Sequence, residues 1–537
     1  MEDKQDSSYL NNVVMGGIGS IFLLRLWNMI KIWLKQPKHK LIVLSLLIVI
    51  LIFICNKIMK MRERHLAERS IIESTVDSVF CGMTDKNEEV WIKPRQRVMH
   101  TQIIGTTNAG KTESVIGPWA IQDIFQGKGF IIIDGKADKD LLNKLWAYVV
   151  KSGRQKDFRL ISLSHLEYSH QFNPLIGGTA EEITERVFNS FEFENPHYRS
   201  LQFEVMGQVM RIFEDAKVTP TFQRLHLVIS KPLALEKLGD KCKSENLKSW
   251  IQYYKGLSAT ERETRTSGLL AAISHFSFGK TAAIFNSGEQ ALTIDEALEK
   301  NLIVYFQLPV LLSPFLGKAT GKLVLQSLQS AVANRHRSLE KNNQFFSVFL
   351  DDFSEYLYPG FVSVLNKSRS ANVGIVFAHQ ALGDITALGD SIANSIMTNS
   401  NIKVFMRGND PDSAEYFSKV IGTNSTMKYT ERQKHNALSK QRSGDVSARE
   451  VEEFIIHPNT FKRELGIGEA IMIIPHERGT KSVKIKFQKL DDLPVVELPK
   501  TSFQILSQLE DPVDPTVKPK QSEEAFGNNV FKNKEAA

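Results

Sequence analysis

The sequence predicts an α/β fold built on a mostly parallel sheet and interrupted by an all-α insertion. Three observations carry this expectation. From about residue 90, short β-branched apolar runs alternate with amphipathic stretches, the βαβ rhythm of a parallel sheet. Between Glu181 and His275 that rhythm stops, and helical patterns such as LQFEVMGQVMRIFEDA replace it. A glycine-rich loop, GTTNAGKT, stands between one apolar run and the helical stretch that follows.

The expected strands are His100 to Gly105, Gly129 to Asp134, Arg159 to Leu163, Leu302 to Leu308, Phe345 to Leu350, Val373 to Ala378 and Ile402 to Met406. Most are apolar on both faces, as strands covered by helices on two sides must be. Gly468 to Pro475 and Ser482 to Leu490 read as late strands, a hairpin closing the domain. The segments then fall as 1–75 membrane anchor, 76–178 first part of the sheet domain, 179–288 all-α insertion, 289–490 second part, and 491–537 tail. The tail is rich in Pro, Asp, Glu and Lys with few large apolar residues, a composition that predicts disorder.

A chain of 537 residues exceeds one hydrophobic core, so more than one folded unit is expected. Its hydrophobic fraction of 42% and charged fraction of 24% exclude both a disordered chain and a many-span membrane protein. The net charge of +7 is spread along the chain and selects no partner class by itself. Cys55, Cys81 and Cys242 have neither metal-ligand nor CxxC spacing, which fits a reducing compartment without a structural disulfide or zinc.

Leu41 to Cys55 is an apolar run with Ser45 as its only polar residue, too apolar for a soluble surface helix. Carried through Ile58, Met59 and Met61, with Lys57 and Lys60 snorkelling, the stretch 41–61 reaches the roughly 20 residues a span needs. Val13 to Leu24 is a second apolar stretch, either the first half of a two-helix hairpin or an interfacial helix. Lys57, Lys60, Arg62 and Arg64 favour a cytoplasmic location for everything after the span.

Gly105, Thr106, Thr107, Asn108, Ala109, Gly110, Lys111 and Thr112 fit GxxxxGK[ST], between a run reading as strand and a stretch reading as helix. Glycines let backbone N–H groups close on phosphate oxygens, and the helix amino terminus adds positive potential. Lys111 would reach the β and γ phosphates of ATP, and Thr112 would offer its hydroxyl to Mg2+. Phe345 to Asp352 is an apolar strand ending in two carboxylates, the form of a Walker B element. Asp351 would hold Mg2+ and Asp352 would orient or deprotonate the attacking water, a task that Glu355 could share. The alternative is that the acidic pair caps the next helix. Asp134-Gly135-Lys136 ends another strand, as an ordinary turn or as part of a ligand edge. Gln380 also ends a strand, where it could sense the γ-phosphate or water. By residue type alone, Arg369 reads as a solvated arginine.

Taken in order, GTTNAGKTES, IIIDGKAD, FNPL at Phe172 to Leu175, the helical insertion, FLDDF, KSRSANVGIVFAHQ and NIKVFMRGNDPDSAEYFSKVIG resemble the type IV secretion coupling proteins of the TraG, TraD and DotL kind, which are grouped with the FtsK-like translocating ATPases. The resemblance covers roughly residues 10 to 490. It implies a RecA-like P-loop domain and a homo-oligomer, a hexameric ring at the bacterial inner membrane with its ATPase body in the cytoplasm. It further implies contacts with the inner-membrane components of a secretion or conjugation machine, and delivery of single-stranded DNA with its relaxase, of effector proteins, or of both. An adaptor bound by the carboxy-terminal tail would fit the same picture. Residue by residue, Lys111 and Thr112 become nucleotide and magnesium ligands, Asp351 and Asp352 the Walker B pair, Gln380 the sensor, and Arg369 a finger reaching a neighbouring subunit. Arg95 or Arg97 is a further candidate for a neighbouring phosphate. Asp352 departs from the family, where Glu is usual, and so predicts slow hydrolysis.

Three functions compete on this reading. The first is an ATP-driven translocase. The second is a receptor platform that nucleotide merely assembles and that docks substrates through the insertion and tail. An FtsK-type DNA translocase ranks lower, because no DNA-reading winged domain is legible after residue 490.

Overall fold

The computed structural model describes residues 45, 48–59, 61, 78–193, 195–288, 290–338, 344–436, 439–476 and 479–501. The chain divides into two compact units, Met1–Arg69 and Ser70–Ala537. In the first, residues 48–59 form a helix whose large apolar side chains, Ile48 to Ile54 among them, are exposed. Among the described residues no helix is long and apolar enough to cross a membrane. The rest of the expected 41–61 span, apart from helical Ser45 and Met61, and the stretch Val13 to Leu24 lie outside the described residues.

The second unit is organised by an eleven-stranded sheet. Its strands are β1 (Val79–Thr84), β2 (Glu89–Ile92), β3 (Thr101–Ile104), β4 (Phe130–Asp134), β5 (Phe158–Ser162), β6 (Ile303–Gln307), β7 (Phe346–Asp351), β8 (Val373–His379), β9 (Ile402–Met406), β12 (Glu469–His476) and β13 (Gly479–Phe487). They lie in the order β2-β1-β13-β12-β9-β3-β8-β7-β4-β6-β5. From β9 to β5 every pairing is parallel, whereas β12, β13, β1 and β2 add an antiparallel flank. Residues of β3, β4, β6, β7, β8 and β9 are buried throughout, which is why their sequences are apolar on both faces. All seven expected parallel strands are present, and the late pair forms the hairpin β12–β13.

Three features differ from expectation. The pair β1–β2 and the long hairpin β10 (Thr423–Asn436) with β11 (Ser439–Phe454) were not legible, because neither shows the apolar alternation of a half-buried strand. The helices of the insertion are α3 (Ala180–Ser190), α4 (Pro196–Asp215), α5 (Phe222–Ser230), α6 (Pro232–Gly239), α7 (Glu245–Gly256) and α8 (Ala259–Ser277). They do not form a separate body. Val187, Val205, Phe222 and Phe276 belong to the same core as Ile131, Phe306 and Val348 of the sheet. Arg186 of α3, fully buried, donates to the carbonyls of Pro174, Ile176 and Gly177 and to Ser330 in helix Pro314–Arg337, sewing the insertion to the sheet domain.

Nor does order end at Asp491. The helices flanking the parallel strands near the phosphate loop are α1 (Gly117–Phe125) and α2 (Lys139–Lys151), and residues 488–501 run as an extended strap along α2. Tyr148 donates to the Asp491 carbonyl at 2.7 Å and Trp146 to the Glu497 carbonyl at 3.0 Å. Lys144 pairs with Asp492 at 2.9 Å, and Thr501 bonds Glu167 and Ser169. The composition that suggested disorder is therefore held by these bonds up to Thr501, and 502–537 lie outside the described residues.

Arg97 is buried, which removes it as an arginine reaching another subunit. Its guanidinium donates to both carboxylate oxygens of Asp123 in α1, at 2.6 and 2.7 Å, and to Ser347 of β7 at 2.9 Å. Truncating one member would leave the other charge buried and unpaired. The Asp123→Ala variant is expected to lose roughly 3 to 5 kcal/mol of stability, read as a lowered urea midpoint at unchanged slope.

Candidate nucleotide-binding site

Because β3, β4, β7 and β8 are parallel, their carboxyl ends meet at one edge of the sheet, where open α/β sheets bind ligands. The loop after β3 is shaped by close approach. A Cβ on Gly105 would lie 2.8 Å from the Met406 Cβ, so only glycine fits there. Gly110 has φ of +96°, and a Cβ on it would meet the Ser114 hydroxyl at 2.9 Å and the Gly468 nitrogen at 3.2 Å. Lys111 then opens a π-helical turn, Lys111–Ile116, that continues into α1. Its ammonium donates to the carbonyls of Gly105 at 2.6 Å and Thr106 at 3.1 Å. Burial lowers the Lys111 pKa, while Asp351 acts in the opposite direction.

The acidic strand end meets the loop directly. The Thr112 hydroxyl donates to Asp351 at 2.7 Å, and the Asp351 carbonyl accepts from Tyr356 at the same distance. Asp351 is buried at the end of β7, and burial followed by the neighbouring Asp352 raises its pKa. Asp352 has φ of +47°, a left-handed turn that directs the chain off the strand. Its carboxylate pairs with Lys136 at 3.0 Å. Lys136 is set by Asp134 at the end of β4, whose carboxylate accepts from the backbone N–H groups of Lys136 and Asp138 and from the Tyr305 hydroxyl. Burial pushes the Asp134 pKa up to about 6. At the end of β8, Gln380 accepts a hydrogen bond of 3.3 Å from the Thr107 hydroxyl.

The structure thus brings Gly105 to Thr112, Asp351, Asp352 and Gln380 together at one edge, with Lys136 among them. These residues fit a nucleoside triphosphate with Mg2+: the loop's glycines admit close backbone approach, and Thr112 and Asp351, the two groups that would share the cation, are already in contact. Glu355 is not part of the site, since its carboxylate pairs with Lys318 at 3.2 Å. Arg95 precedes β3 and Arg369 precedes β8, so both stand at the amino ends of strands whose carboxyl ends carry the loop and Gln380. Sequence reasoning missed Tyr305, Tyr356 and the segment Gly466–Gly468, whose Gly468 N–H donates to the Ala109 carbonyl at 3.0 Å. No local motif marks them; the spacing Gly466-x-Gly468 before an apolar strand is the one available hint. Among the described residues no group of three or more His, Cys, Asp and Glu is placed to hold a metal ion.

The chain resembles known proteins in part of its sequence and in its fold. Residues 346–463 match the family model TraG-D_C, the TraM recognition site of TraD and TraG. The type 4 coupling protein DotL of Legionella pneumophila subsp. pneumophila (strain Philadelphia 1) is 22% identical over 396 residues, covering 62% of this chain and 50% of DotL. The chain therefore spans about half the length of that relative. Among solved structures, the bacterial conjugative coupling protein TrwB in its unbound form superposes with a TM-score of 0.54 at 13% identity, over 76% of this chain and 90% of that one. TrwB in complex with ADP and Mg2+ gives 0.53 at 13% identity, over 74% and 87%. The fold is shared, a large mixed sheet with helices on both faces.

The raised pKa of Asp134 means that the folded state holds a proton more tightly than the unfolded chain. Stability from this group is therefore present below the unfolded value of 3.8 and is lost as pH rises through about 6. Across that window Asp134→Asn should show a flatter dependence of unfolding free energy on pH than the wild type. Parallel curves in urea titrations at several pH values would contradict this.

Proposed function

Starting from this kinship with the type IV coupling proteins, we propose that the chain is a membrane-anchored ATPase that recruits and translocates DNA–protein complexes or effector proteins into a type IV secretion or conjugation channel. The observation that carries the reading is the bond between Thr112 and Asp351, which joins the phosphate loop to the acidic strand end with no rearrangement required. ATP with Mg2+, when bound, supplies the scissile phosphoanhydride and neutralises its charge. Lys111 exchanges the two loop carbonyls for phosphate oxygens, and Thr112 and Asp351 hold the cation. Asp352 orients the attacking water and takes its proton, while Lys136 fixes that carboxylate in place. Gln380, held by Thr107, stands where a change at the γ-phosphate would move it. Arg369 acts in trans: exposed and near the amino end of β8, it serves a neighbouring subunit of a hexameric ring. The assembly sits at the bacterial inner membrane through segment 41–61, with the ATPase body in the cytoplasm, beside the secretion machine's inner-membrane components.

The receptor-platform reading keeps one specific support. Asp352 is shorter than the usual Glu and its carboxylate is engaged by Lys136, both of which favour slow hydrolysis. ATP turnover by the full chain in vesicles, with and without single-stranded DNA, separates the two readings: stimulation supports the motor and a flat, near-zero rate supports the platform. Lys111→Ala and Asp351→Ala are expected to abolish substrate transfer while membrane insertion stays intact, and wild-type transfer by the Lys111 variant would rule the motor out. Asp352→Asn should slow hydrolysis by about 100-fold or more at unchanged nucleotide affinity.

A further inference from the structure

The phosphate loop has two flanks, and Asp351, Asp352, Lys136 and Gln380 all stand on one of them. In the sheet order β12-β9-β3-β8-β7, the strands carrying Gln380 and Asp351 lie on one side of β3, and β9 and β12 lie on the other. Lys111, Thr112 and Asp351 fix the β and γ end of a triphosphate toward the β7 side. The α-phosphate, ribose and base must then leave toward β12.

That flank is built by the segment entering β12. The Gly468 N–H bonds the Ala109 carbonyl, and its own carbonyl accepts from the Phe487 N–H of β13. Gly468 has φ of +76°, and a Cβ there would come within 3.0 Å of the Ser114 hydroxyl, a buried group with no hydrogen-bond partner. Two glycines, Gly110 and Gly468, thus let this segment lie directly on the first turn after the loop. A tight turn closes it, with the Gly466 N–H donating to Glu469 at 3.0 Å. Between the two glycines stands Ile467, 56% exposed beside a polar loop. Lys489, whose Cε would lie 3.9 Å from a Cβ on Gly468, supplies a cation on the same flank.

We propose that the segment Gly466–Gly468, with Ile467 as its apolar contact and Lys489 beside it, is the wall against which the base and ribose of the bound nucleotide rest. This assignment rests on the nucleotide-binding reading of the loop. An exposed aliphatic side chain between backbone amides offers a base apolar area without a hydrogen-bond pattern specific to adenine, so the wall accepts adenine and guanine alike.

Direct binding of three probes to the full chain tests this: ATP, GTP and inorganic tripolyphosphate, each with Mg2+. Ile467→Ala should weaken ATP and GTP by a similar factor, about fivefold, and leave tripolyphosphate unchanged. Ile467→Leu should restore both nucleotides. Unaltered nucleotide affinity in Ile467→Ala would overturn the assignment, and so would an equal loss for tripolyphosphate, because the segment would then act on the loop rather than on the base. Lys111→Ala reads out the underlying premise separately: it should weaken all three probes, and retention of all three would overturn nucleotide binding itself.

Discussion

The buried knot of Arg97, Asp123 and Ser347 fixes how the phosphate loop meets the acidic strand end. Arg97 precedes β3, Asp123 lies on the helix that follows the phosphate loop, and Ser347 is the second residue of the strand that ends in Asp351. One carboxylate therefore fixes three elements far apart in sequence. Its two oxygens meet a guanidinium and a hydroxyl, so the charges are compensated inside the core. With helix α1 and strand β7 locked at this end, Thr112 and Asp351 meet at the other. The contact between loop and acidic strand end is set from a distance, by three residues that take no part in it.

The parallel half of the sheet was legible because burial on both faces leaves a largely apolar run, as in FIIID of Phe130–Asp134 and FSVFLD of Phe346–Asp351. The loop was legible because close backbone approach demands glycine at two fixed positions, as the crowding at Gly105 and Gly110 shows. Asp123 and Arg97 were not, since a charged residue in an amphipathic pattern reads as surface unless its partner is known, and here the partners are 26 and 250 positions from Arg97. Tyr305 and Tyr356 look like ordinary core aromatics, and only their hydroxyl bonds to Asp134 and Asp351 mark them. The hairpin β10–β11 escaped because its sequence is mostly polar, and among the described side chains, 423–429 and 448–454, none is buried.

The helical insertion shows how sequence rhythm and physical body can part. The change from strands to helices at Glu181 is real, yet Arg186 and the shared apolar core make α3 part of the sheet domain. Motion of this insertion as a rigid piece would have to break a buried arginine's bonds to three carbonyls. A force on its outer helices is therefore passed to the sheet without a hinge.

The strap along α2 bears on how the polypeptide can be shortened. Lys144 touches Glu113, next to Thr112 of the phosphate loop, and Asp492 at once, while Trp146 and Tyr148 spend their polar atoms on strap carbonyls. A terminus placed where acidic, proline-rich composition begins would strand an indole and a phenol without acceptors one helix away from the phosphate loop. A recombinant fragment keeps its surface chemistry whole only if the cut falls beyond Thr501.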